Sequence, residues 1–63
     1  MTELFTLEDQ VACVEREIRQ RHRVYGRLVS QGKLKKATAD REIAAMQAVL
    51  ETLKHQQSAT LLV

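Results

Sequence analysis

Apolar residues in the first half of this sequence fall at Leu4, Leu7, Val11, Val14, Ile18, Tyr25 and Leu28, stepping by three and four with a single miss at Arg21. Side chains three and four apart share one face of an α-helix, so this alternation is the seam of a helix packed in coiled-coil fashion. The second half repeats the pattern. Ala39, Ile43, Met46, Leu50 and Leu53 step by four and three, Gln57 continues the phase in polar form, and Val49 widens the stripe. The chain has no proline and two glycines, and Leu, Ala, Glu, Lys, Arg and Gln dominate it. Those residues lose little on entering a helix.

The ends of the helices carry their own signals. Thr6 is a good N-cap, and Asp9 three residues later completes an acidic variant of the capping box. Glu8 and Asp9 also suit the positive end of the helix dipole. The first helix is therefore expected over about residues 7–31, with Gly32 supplying the left-handed residue that ends it. A turn over residues 32–35 leads to a second helix at about residues 36–56. Its onset lies between Lys35 and Thr38, with Thr38 as a cap and Asp40 just inside it. Residues 57–63 form a tail. Its Leu61, Leu62 and Val63 either pack back on Leu4 or Phe5 or act as a hydrophobic hook for a partner. Gly26 lies inside the first helix, either as a tolerated weak point or as a kink or close crossing.

A turn this short makes the helices antiparallel neighbours. The fold class is all-α, one antiparallel two-helix hairpin filling a single domain. Folding at residue 33 sets Leu28 near Ala39, Tyr25 near Ile43, Arg21 near Met46, Ile18 near Leu50 and Val14 near Leu53. Such a hairpin has a seam but no closed core. A chain of 63 residues buries little of its own surface, and small folds usually need a disulfide, a metal or a partner chain. Cys13 is the only cysteine, and His22 and His55 are far apart, so one chain builds neither a disulfide nor a zinc site. Self-association is the remaining staple. Two hairpins pairing into a four-helix bundle would cover Val24, Val29, Ala45 and Val49 beside the seam. The expected core and dimer residues are Leu7, Val11, Val14, Ile18, Leu28, Ile43, Met46, Val49, Leu50 and Leu53.

The net charge of +2 conceals a strong polarity. Residues 1–15 hold Glu3, Glu8, Asp9 and Glu15 and no base. Residues 16–36 hold Arg16, Arg19, Arg21, Arg23, Arg27, Lys33, Lys35 and Lys36 against Glu17 alone. At 100° per residue, Arg16, Arg19, Arg23 and Arg27 lie within about 80° of each other, opposite the apolar seam. That face is either an ordinary solvated surface, tied down by pairs such as Glu15 with Arg19, or a docking surface for an acidic partner. Nucleic acid is a further reading, because phosphate contacts need little more than a basic stripe. No recognised DNA-binding motif or aromatic stacking platform accompanies it.

Arg21 interrupts the seam, where an isolated charge is costly. It either snorkels outward over Met46, or finds a carboxylate on Glu42 or Glu17, or joins His22 and Tyr25 in facing a partner. Cys13 reads as a small buried filler, since no neighbouring cation lowers its pKa. No convergent acid–base set, metal cluster or phosphate loop stands out, so the chain reads as non-enzymatic and without a cofactor. No apolar run approaches the roughly 20 residues needed to span a bilayer. The acidic start lacks the layout of a signal peptide, and a lone cysteine suits a reducing compartment, so cytoplasm is the expected location.

The segments "VEREI", "RHRVY", "GKL" and "ADREIAAMQAVLETL" carry a resemblance. Over residues 9 to 54 the chain is similar to a group of small proteins encoded by bacteriophages and prophages of proteobacteria. Some members carry a proline where Gly26 stands and a helix-capping threonine where Lys35 stands. The group defines no catalytic residues and most of its members have no assigned activity. The resemblance implies a phage-borne accessory protein in a bacterial cytoplasm. The expected function is binding and inhibiting or redirecting host proteins, a regulator or a defence factor, as a small helical dimer. The residues expected to carry it are Arg16, Arg19, Arg23 and Arg27, then Arg21, His22 and Tyr25. The alternative is a small basic nucleic-acid-binding regulator.

Overall fold

A computed structural model describes the backbone of residues 4–62 and the side chains of residues 4–59. It consists of helix α1, Leu7–Ser30, and helix α2, Lys36–Leu62. They lie side by side in a rod with extents of 48 × 19 × 17 Å. The hairpin follows from the seam. Leu7, Val14, Tyr25, Leu28, Ile43, Met46, Leu50, Leu53 and Gln57 are half-buried, and Val11, Ile18 and Ala39 are buried. No side chain among the described residues is fully enclosed. Two helices meet along one line, so each seam residue covers its partner and keeps an edge in water.

The start of α1 is built by local hydrogen bonds. The Asp9 backbone N–H donates to Thr6 Oγ1 at 3.0 Å, and the Thr6 N–H donates to Asp9 Oδ2 at 3.2 Å. Two of the free donors at the helix start are thus satisfied reciprocally. The amide of Gln10 donates to the Phe5 carbonyl at 3.2 Å, which ties the residue before the cap to the first turn.

The end of α1 depends on Gly32, whose φ is 72°. A side chain there would crowd the backbone, and glycine has none. The left-handed turn lets the Lys33 N–H donate to the Leu28 carbonyl and the Gly32 N–H to the Val29 carbonyl. This paired arrangement is the Schellman motif. The helix stops at Ser30 rather than at residue 31, because Gln31 is already the C-cap.

Two expectations for α2 are corrected. Lys35, and not Thr38, occupies the N-cap position, since its carbonyl accepts the first helical bond from the Ala39 N–H at 3.0 Å. Its side chain has no acceptor to offer the orphan donors, and the first turn carries no acid. Support comes instead from Lys36, whose Nζ donates to Asp40 Oδ2 at 2.9 Å one turn on. At the other end, the expected tail is helical, and α2 continues past Gln56 to Leu62. The segment "QSATLL" contains no proline or glycine to stop it, and its Gln, Ala and Leu residues propagate a helix once one is running. The side chains of Leu61 and Leu62, and Val63 as a whole, lie outside the described residues, and with them the expected packing of that end.

α1 runs unbroken through Gly26, and a Cβ added there would meet nothing within 4 Å. Among the described residues, no close crossing requires glycine at that point.

Candidate functional site

The register between the helices decides which residues can form a site. It is marked by Lys54 Nζ, 3.4 Å from Glu15 Oε2 across the hairpin. Val14 and Leu53 line one groove together, and Tyr25, Ala39 and Ile43 line another, in agreement with a fold about residue 33. The expected pairing of Glu15 with Arg19 is therefore replaced by Glu15 with Lys54. The pairing of Val14 with Leu53 already implies it, because the next residue along each helix turns to the same flank.

Arg16, Arg19, Arg23 and Arg27 are all exposed on α1. None of them forms an ion pair among the described residues. The four guanidinium groups thus share the face opposite the seam, held by a continuous helix. This is a concentrated positive surface with its donors directed to solvent.

Arg21 is resolved differently. Its Nε donates to Glu17 Oε1 at 3.2 Å, one turn back along α1, and its side chain keeps 32% of its exposure. That bond holds Arg21 above the ordinary arginine pKa, against the opposing effect of partial burial. The seam charge is thus compensated locally. His22 and Tyr25 line a small depression of about 180 Å³ with Gly26, Val29, Lys36 and Asp40, and Arg21 is not among its walls.

The larger opening was not anticipated. An open groove of about 930 Å³ runs beside the seam near the start of α1. Phe5, Cys13, Val14, Val49 and Leu53 line it, with Asp9 and Arg16 on its rim. Leu4 is 83% exposed, Phe5 61% and Val49 46%. Cys13 is exposed, which corrects its reading as a buried filler. Val49 and Ala45 face water, as expected of a single hairpin, whereas Val24 and Val29, expected to be wet as well, are half-covered by the hairpin itself. The capping box is the signal that could have located this groove. It fixes Phe5 just outside the helix, and the residue opposite a hydrophobic staple position is Gln10, which offers Phe5 no apolar partner.

Among the described residues, no group of three or more His, Cys, Asp and Glu side chains converges. No helix there is long and apolar enough to cross a membrane. The chain matches no protein-family model, no curated protein and no solved structure.

Proposed function

We propose that this chain is a non-enzymatic interaction protein, working as a small helical homodimer, that binds bacterial host proteins and inhibits or redirects them. Phage-borne accessory action is the context implied by the resemblance over residues 9 to 54. The single observation that carries the binding reading is the row of exposed arginines, Arg16, Arg19, Arg23 and Arg27, on one face of α1 without carboxylate partners among the described residues. Arginine presents a planar fork of donors that fits carboxylates two bonds at a time. Mounted on a helix, the row has its backbone already ordered, so only the side chains lose freedom on binding an acidic protein surface. Steering by such a patch speeds encounter and loses strength as salt rises. A host regulator or defence factor with an acidic face is the class of partner this surface fits.

The test reverses Arg19, Arg23 and Arg27 to glutamate and leaves Arg16, which borders the apolar groove. The expected result is loss of a host protein that the unmodified chain retains from a bacterial lysate and inhibits after purification, with helicity unchanged by circular dichroism. Retention and inhibition that survive the reversal would overturn the reading. If the unmodified chain shifts duplex DNA or RNA of any sequence, and the shift fades steeply with salt, the arginines serve phosphates instead.

A further inference from the structure

The hairpin exposes more surface than a chain of its size should. Monomeric proteins follow a surface scaling that gives about 4,100 Å² for 7.2 kDa, whereas this chain exposes 5182 Å². The excess of about 1,000 Å² is close to the ~800 Å² that each partner contributes to a stable interface. The apolar part of that surface is not spread evenly. Among the described residues, Leu4, Phe5 and Val49 are the large apolar side chains most exposed, and all three border the same groove.

A two-fold dimer needs a self-complementary patch, in which residue i meets j and j meets i. This groove meets that requirement in two ways. Leu4 and Phe5 protrude beside the hollow formed by Cys13, Val14, Val49 and Leu53, so a knob and a hole lie on one face. The rim along α1 reads Asp9, Ala12, Cys13, Arg16, an acid and a base placed symmetrically about two small exposed residues. Asp9 and Arg16 are seven residues apart, about 10.5 Å along the helix. Two copies meeting groove to groove therefore offer each other an acid and a base at the edge of the contact. Only Oδ2 of Asp9 is engaged in the cap.

We propose that a second copy of this chain docks groove to groove on the face lined by Phe5, Cys13, Val14, Val49 and Leu53, with Asp9 and Arg16 at the edge of the contact. The inference rests on the homodimer reading and assigns its interface. Arg16 then serves assembly, and Arg19, Arg23 and Arg27 remain outward for a different partner. The opposite flank, around His22 and Val29, stays free of the dimer contact.

Sedimentation across micromolar concentrations, combined with alkylation of Cys13 by a bulky maleimide, tests this with the unmodified chain. The expected result is a dimer in which the Cys13 thiol is shielded and becomes reactive as dilution separates the copies. Val49→Asp should weaken pairing by roughly a hundredfold or more, because two carboxylates would be buried unpaired. Arg16→Asp, which leaves only acids at that edge, should weaken it several-fold. Val29→Asp, on the other flank, should leave it intact. A chain that is folded and monomeric throughout would overturn the homodimer reading itself, and this interface with it. A dimer whose Cys13 reacts at the monomer's rate, or one broken by Val29→Asp and not by Val49→Asp, would overturn the assigned face alone.

Discussion

Lys54 Nζ lies 3.4 Å from Glu15 Oε2, and this ion pair joins α1 to α2 on the flank of the seam. Both side chains are about half exposed, at 50% and 40%. Water therefore screens most of their attraction, and the pair contributes at most about 1 kcal/mol. Its main effect is on register, since a slide of either helix by one turn would separate the charges. Lys54→Glu should lower the urea midpoint modestly, and the exchanged pair Glu15→Lys with Lys54→Glu should recover it. The difference between single and exchanged variants should shrink in high salt, because screening weakens the repulsion. Equal losses in the single and the exchanged chains would show that the two residues are not coupled.

Thr6→Ala removes the hydroxyl that accepts the Asp9 N–H and dissolves half of the capping box. The expected cost is about 1 kcal/mol, read as a lower urea midpoint at a fixed protein concentration. The concentration must be held constant because pairing between copies would itself shift the midpoint.

The two glycines should respond in opposite directions. Gly26 sits in open space within α1, so Gly26→Ala should stabilise the hairpin by roughly 0.5–1 kcal/mol through reduced backbone entropy in the unfolded chain. Gly32 has a φ of 72°, so Gly32→Ala should destabilise it by about 1 kcal/mol despite equally open surroundings. Thermal denaturation followed by circular dichroism checks both. A stabilised Gly32→Ala chain would contradict the left-handed turn.

Arg21→Leu separates the structural from the docking role of the seam charge. Leucine would extend the apolar seam and lose only a partly exposed ion pair with Glu17. The hairpin should become more stable, by about 1 kcal/mol for a half-buried apolar side chain. Unchanged capture of a host protein by this variant would assign Arg21 to the fold, and lost capture would assign it to the docking surface.

Much of the hairpin was legible because it is written in local chemistry. Val11 and Ile18 are buried where the three-and-four spacing places them, and Thr6 with Asp9 forms the cap that their types and separation imply. Gly32 turns the chain where a left-handed residue was needed. The end of α2 was less readable. No stop signal follows Gln56, and only the absence of one carries the helix on to Leu62. The start of α2 was ambiguous for the converse reason: Thr38 is the better capping residue by type, yet the chain is already helical by Lys36.

The sequence by itself determined two amphipathic helices, the turn between them and the row of arginines opposite the seam, since each depends on neighbours within about two helical turns. The tertiary structure decided between options the sequence left open, Lys54 rather than Arg19 for Glu15 and Glu17 rather than Glu42 for Arg21, and it alone brought Phe5, Cys13 and Val49 to one groove. The groove and the Glu15–Lys54 contact depend on how far α2 slides along α1 and which flank each residue then faces. Periodicity defines a face on each helix, and only the contact between the two sets how those faces align.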